Sequence, residues 1–202
     1  MGTRNHQHKA IDGDYLLETL QKSIEINSIL PHEADYATFL ADEIGKLGLE
    51  PEWEEVAPGR PNVYAMAQLG PHDDLLLLTG HSDTVGIAAH WETNPFEPVL
   101  KNGRLYGLGA FDMKSGVVCA LAAFKALVED QTLHGKLGRV AFAVTVDEES
   151  SNEMVHALRD AYSLPVGMPF IFCGWDISGA EITLNLVHLV SIREDPDRVW
   201  ST

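Results

Sequence analysis

From Asp14 onward the apolar residues Leu16, Leu17, Leu20, Ile24 and Leu30 recur near helical spacing, and Tyr36, Phe39, Leu40, Ile44 and Leu47 repeat it after Pro31. This pattern predicts two amphipathic helices at the start of the domain. The segments Pro51 to Val56, Asn62 to Gln68 and Asp74 to Thr79 read as strands, punctuated by Pro58-Gly59-Arg60-Pro61 and Gly70-Pro71. A loop from His90 to Pro98 leads into Val99 to Tyr106, where Asn102-Gly103 between apolar neighbours signals a hairpin. Lys114 to Glu129 is apolar nearly all round, as a helix packed on a sheet should be. Val140 to Val146 is a β-branched run, hence a central strand, and Asp147 to Asn152 caps a further helix through about Ala161. Phe170 to Cys173 and Ile182 to Val190 are further strands. Strands alternating with helices predict an α/β fold, an open and mostly parallel sheet with helices on both faces.

Composition narrows the class of partner. The chain has 202 residues, 45% hydrophobic and 22% charged, which suits one domain or two small ones. Its 14 Lys and Arg against 30 Asp and Glu give a net charge of −16, the wrong sign for gripping nucleic acid or an anionic membrane. Cys119 and Cys173 are the only cysteines and stand far apart, so neither a disulfide scaffold nor a thiolate metal site is expected. No apolar run approaches the roughly 20 residues that span a bilayer. The polar start, from Met1 to Lys9, has no apolar signal region, and a cytoplasmic protein with a tail over residues 1–13 is expected.

The chemistry concentrates at strand ends. His81 and Asp83 follow the third predicted strand, Asp112 closes a Gly-rich approach to the long helix, and Glu148 and Glu149 follow the central strand. In an open α/β sheet such ends converge on one crevice. Taken singly, each has an ordinary reading: His81 as a surface or core histidine, Asp112 as a helix N-cap, Asp147-Glu148-Glu149 as an acidic first turn. Taken together, a histidine and several carboxylates at one crevice form a donor set for a divalent metal, because adjacent carboxylates repel unless a cation or proton relieves them. Trp53, Trp91, Trp175 and Trp200 read as packing residues before substrate-rim ones, and His72-Asp73-Asp74 precedes its strand and so belongs to the opposite edge of the sheet. The chain has no HExxH, P-loop, GxSxG or N-x-Ser/Thr pattern.

Three segments in this order, Gly80-His81-Ser82-Asp83-Thr84-Val85, Gly107 to Gly116 and Thr145-Val146-Asp147-Glu148-Glu149-Ser150, resemble the zinc aminoacylase family of acetylornithine deacetylase, succinyl-diaminopimelate desuccinylase and carboxypeptidase G. The similarity runs from about Asp14 to Arg193. The resemblance implies a dizinc exopeptidase-like catalytic domain that hydrolyses an N-acyl amino acid or short peptide at an amide bond. By the same resemblance His81 would ligate the first metal with Asp83 behind it fixing the imidazole tautomer, Asp112 would bridge both ions, Glu149 would ligate the second, and Glu148 would be the general base. Ser178-Gly179-Ala180-Glu181 matches the next ligand element, which makes Glu181 a ligand of the first metal, with Asp176 as the alternative. Zn²⁺ is the expected ion, two per site, and Co²⁺ or Mn²⁺ could substitute in an oxygen and nitrogen site.

The family runs to about twice this length, with a lid and dimerisation domain inserted after the strand near Glu181. Residues 14–190 are therefore expected to be the N-terminal portion of a truncated catalytic domain, and 191–202 a polar tail where the lid would begin. The second metal's histidine has no counterpart, since His188 lies too close to Glu181. Two rivals to an active hydrolase follow: an inactive remnant holding at most one ion, and a half-site completed by another chain, for instance in a homo-oligomer.

Overall fold

The structure is a computed structural model and describes residues 11–150, 169–172 and 188–191. Helix α1 (Gly13–Glu25) starts where Asp12 accepts hydrogen bonds from the amides of Asp14 and Tyr15, satisfying two of the donors that a helix start leaves unpaired. It stops at Glu25, short of Leu30, which lies in a turn directly after Ile29, the residue that bridges Thr84. Helix α2 (Ala34–Gly45) follows and buries Tyr36, Ala37, Leu40, Ala41 and Ile44, the face its periodicity predicts.

The strands are β1 (Glu52–Ala57), β2 (Arg60–Gln68), β3 (Leu75–His81), β4 (Val99–Lys101), β5 (Arg104–Tyr106), β6 (Arg139–Thr145), β7 (Pro169–Phe172) and β8 (His188–Ser191), with α3 (Lys114–Glu129) between β5 and β6. Six of them form one open sheet in the order β1-β2-β6-β3-β7-β8, while β4 and β5 pair as a separate hairpin around Asn102-Gly103. The parallel part of the sheet is its centre, β6-β3-β7. Both flanks run antiparallel, so the sheet is mixed: β1 joins β2 through the short Pro58-Gly59 turn, too brief for the crossover that a parallel pair requires.

The core lies between this sheet and its helices. Val63, Ala65 and Ala67 of β2, Leu78 of β3 and Val140, Phe142 and Val144 of β6 share one face, packed by α2 and by Val117, Ala120, Leu121 and Phe124 of α3. The rings of Phe124 and Phe142 meet at 5.9 Å. α1 packs on α3 rather than on the sheet. The packing expectation fails for Trp53 and Trp91, which are 48% and 37% exposed: Trp53 sits on edge strand β1, and Trp91 in the loop ahead of the hairpin. The helix expected through Ala161, Cys173, Trp175, Trp200 and most of the strand expected over Ile182–Val190 lie outside the described residues.

Two glycines bring the site-bearing segments together. A Cβ on Gly80 would stand 2.8 Å from the Met113 side chain and 3.0 Å from Val117, so glycine lets the start of α3 close onto the end of β3. Gly109 has φ +73°, and a Cβ there would meet Thr84 at 2.7 Å. Lys114, the first residue of α3, is buried, and its ammonium donates to the carbonyls of Ser23 (2.8 Å) and Ile26 (2.6 Å). It thereby closes the C-terminal end of α1 and ties the segment after Asp112 to it.

Candidate metal centre

The carboxyl ends of the two central parallel strands carry the site. His81 is the last residue of β3, and Val146 to Glu149 continue from the neighbouring β6, whose Thr145 pairs with His81. Asp112 comes from the loop before α3. One ligand atom each from His81, Asp112 and Glu149 lie within 4.8 Å of one another, a group that could hold a metal ion. The structure thus brings together all five predicted residues among those it describes; Glu181 and Asp176 lie outside the described residues.

The geometry separates the ordinary readings from the chemical one. Asp112 is not the cap of α3, whose N-cap position is Met113 with no side-chain hydrogen bond. Its carboxylate lies 3.3 Å from Nε2 of His81 instead, with the side chain 65% exposed. Glu148 and Glu149 sit in a turn. Glu148 Oε2 is 3.8 Å from the same His81 nitrogen.

His81 is held from behind by Asp83, through a different atom than expected. Nδ1 of His81 lies 2.9 Å from the Asp83 main-chain carbonyl, which can only accept, so the proton belongs on Nδ1 and Nε2 faces Asp112. The Asp83 carboxylate, 3.6 Å from Nδ1, acts on it only through charge. That carboxylate accepts instead from the amides of Glu148 (3.3 Å) and Glu149 (2.9 Å). Asp83, fully buried, therefore joins the two halves of the site: its carbonyl orients the imidazole and its carboxylate orients the acidic turn.

Electrostatics shows what the cluster lacks. Burial pulls the His81 imidazole down, but Asp112, Asp83 and Glu148 outweigh it and push its pKa up to about 10. The contact with His81 holds the Asp112 carboxyl below its ordinary value. Burial opposes ionisation of Asp83, yet His81 and the Glu149 amide outweigh it and hold that carboxyl low as well. Glu149 moves the other way, raised by burial and then by the negative charge of Asp112. A cation between them would remove that repulsion, so one imidazole and two carboxylates fit a divalent ion that takes oxygen and nitrogen donors.

Three supporting residues were not singled out in the sequence reading. Arg60 and Glu33 pair across α2 and β2, and Lys114 buries its charge at the head of α3. Arg60 is hidden in a turn read as punctuation. Lys114 did leave a trace, as the cation that opens a helix otherwise apolar nearly all round.

Comparison with known proteins places this geometry. Residues 77–192, more than half of the chain, match the family described as Peptidase family M20/M25/M40. The chain belongs to that family. The M20 match takes in β3 from Leu77 onward, the Asp112 loop, α3, β6 and the acidic turn. Among curated relatives, succinyl-diaminopimelate desuccinylase of Methylorubrum extorquens (strain PA1) is 37% identical over 139 residues, 66% of this chain and 35% of that protein. The enzyme of that name from Coxiella burnetii (strain Dugway 5J108-111) is 34% identical over 68% of this chain and 36% of its own length. This chain thus spans about a third of the length of these curated relatives. The M20 family metallo-carboxypeptidase Sso-CP2 of Sulfolobus solfataricus shares the fold, with a TM-score of 0.66 at 24% identity over 78% of this chain and 36% of that one. No helix among the described residues is long and apolar enough to cross a membrane.

Proposed function

We propose that this chain forms the metal-binding part of a zinc-dependent amidohydrolase or exopeptidase that cleaves an N-acyl amino acid or a short peptide. The observation that carries the reading is the convergence of His81, Asp112 and Glu149 at the ends of β3 and β6, in a chain of the M20 family. The relatives named as succinyl-diaminopimelate desuccinylases favour an N-acyl amino acid as the substrate class.

In this reading His81, Asp112 and, on the strength of its motif, Glu181 would hold one ion, and Asp112 together with Glu149 would hold a second. When bound, Zn²⁺ supplies Lewis-acid charge that polarises the scissile carbonyl and makes a water molecule acidic. Glu148 would act as the general base, accepting a proton from the attacking water and passing it to the leaving amine. Its side chain is 38% exposed and close to His81, and so open to substrate and solvent. Asp83 keeps the Nε2 of His81 available and holds Glu148 and Glu149 by their amides.

The test is the zinc content per purified chain, measured together with hydrolysis of N-succinyl and N-acetyl amino acids. Two ions with turnover are expected of a complete site. One ion without turnover would leave a binding remnant, and turnover only in the presence of a second polypeptide would mean a half-site. Glu148→Ala is expected to reduce hydrolysis by about 10²-fold to 10⁴-fold while zinc content stays nearly unchanged. If that variant strips the metal instead, the division of roles between the two glutamates is wrong.

Zinc affinity should depend steeply on pH. The metal-free His81 holds its proton up to about pH 10, and a ligating imidazole must be neutral, so binding expels that proton. Between pH 6.5 and 8.5 the apparent affinity is expected to rise by about tenfold per pH unit, read by competition with a chromophoric chelator. A flat profile over that range would show that binding expels no proton from His81, so that the imidazole is already neutral in the metal-free site.

A further inference from the structure

The acidic turn after β6 is held from a direction that the metal centre does not account for. Arg60, at the start of β2, spans two carboxylates. Its Nε lies 3.1 Å from both oxygens of Glu33, one terminal nitrogen lies 2.6 Å from Glu33 Oε1, and the other lies 2.9 Å from Asp147 Oδ1. Glu33 is fully buried and the Arg60 and Asp147 side chains are 15% and 18% exposed. The bidentate grip on Glu33 fixes the guanidinium plane and leaves one nitrogen aimed at the turn, which a lysine ammonium could not reproduce.

Asp147 is the residue at which the chain leaves the sheet and turns towards the metal-facing carboxylates. Its φ is +76°, a region that L residues occupy only when their surroundings compensate. Its carboxylate also accepts from Ser150 Oγ at 2.6 Å. The residue before it, Val146, donates its amide to Asn62 Oδ1 at 2.9 Å, and the two after it donate theirs to Asp83. Four successive residues are thus pinned, 146 and 147 from β2 and 148 and 149 from the loop after β3.

We propose that Arg60 and Asp147 are a positioning pair that sets where Glu149 presents its carboxylate to the metal, an inference that rests on the metal-centre reading above. A buried ion pair is a poor source of net stability, because desolvation consumes much of its attraction, whereas a fixed guanidinium bridge between two carboxylates is an effective means of setting register. The pair touches none of the reacting atoms and acts through the backbone of residues 147–149.

The experiment compares zinc affinity, by chelator competition, with hydrogen exchange of the Glu148 and Glu149 amides in the metal-free protein. Asp147→Gly suits the positive φ and removes the arm from Arg60 together with the Ser150 contact, whereas Arg60→Lys leaves the Ser150 contact in place and keeps a cation on Glu33 but not the bridge. Each is expected to weaken zinc binding about tenfold and to speed exchange at both amides, with the double variant no weaker than the worse single one. Asp147→Asn keeps the acceptor oxygen and should restore most of the affinity. In a Glu149→Gln background Asp147→Gly should have no further effect on zinc. Unchanged affinity and exchange in Asp147→Gly, or a full additional loss in the Glu149→Gln background, would overturn the pairing. Failure of the unaltered chain to bind zinc would overturn the metal-centre reading itself, so the two failures are distinguishable.

Discussion

Asp112→Ala is expected to cost at least two orders of magnitude in zinc affinity while leaving the metal-free fold in place. Removing a residue that only orients a ligand costs about 10-fold to 100-fold, so removing a shared ligand belongs at or beyond the upper end of that range. The fold should tolerate the change because the Asp112 side chain is 65% exposed and caps no helix. The substitution also takes away the strongest of the contacts raising His81 and a charge that raises Glu149, so the metal-free cluster becomes less polarised. Chelator competition and thermal melts in EDTA separate the two effects. A variant that keeps its affinity, or that loses zinc only because it has unfolded, would remove Asp112 from the ligand set.

Phe142→Ala should have the largest effect on stability. Phe142 is fully buried at the centre of β6, its ring tilted against that of Phe124 and flanked across the sheet by Ala65 and Leu78. Close-packed neighbours on three sides leave little room for collapse, so the cavity term adds to the lost transfer energy, and about 3–5 kcal/mol is expected. Set against a typical total of roughly 5–15 kcal/mol, this displaces the unfolding midpoint in urea substantially or abolishes folding. Leu100→Ala, on an exposed position of the hairpin, should change stability by no more than about 0.5 kcal/mol. A similar midpoint for the two variants would mean that the sheet and helix α3 do not share one core.

The two results would bear on one another through α3. The helix packs Val117, Leu121 and Phe124 against the sheet, and the loop before it presents Asp112 to the site. Gly80 and Gly109 allow the close approach, and Lys114 ties the helix start to the end of α1. The position of Asp112 is thus set by packing that lies outside the metal centre.

Much of this was legible in the linear pattern. Lys114–Glu129 is the helix that the apolar periodicity predicts, and the strands at β1, β2, β3 and β6 fall within a residue or two of expectation, because their hydrophobic runs are bounded by Pro, Gly and Asn turns. The Asn102-Gly103 hairpin was equally plain. What misled was range and context. Leu30 continues the helical spacing of α1, yet the helix ends at Glu25, where its carbonyls are taken up by Lys114, 88 and 91 positions away in sequence. Trp53 and Trp91 looked like core residues by chemistry alone, but an edge strand and a surface loop leave both exposed.

For the site, the sequence by itself determined which residue types stand at the ends of β3 and β6 and before α3, because strand ends and turn glycines are local signals. It could not determine that strands 64 residues apart at His81 and Thr145 lie side by side, nor which Asp83 atom meets His81 and which meets the acidic turn. Those are decided by strand order and by rotamers fixed in a dense interior, where each polar group must find its partner among residues distant in the chain. The bridge from Glu33 through Arg60 to Asp147 is the extreme case. Its three members carry no common motif, and only tertiary packing brings them within hydrogen-bonding distance.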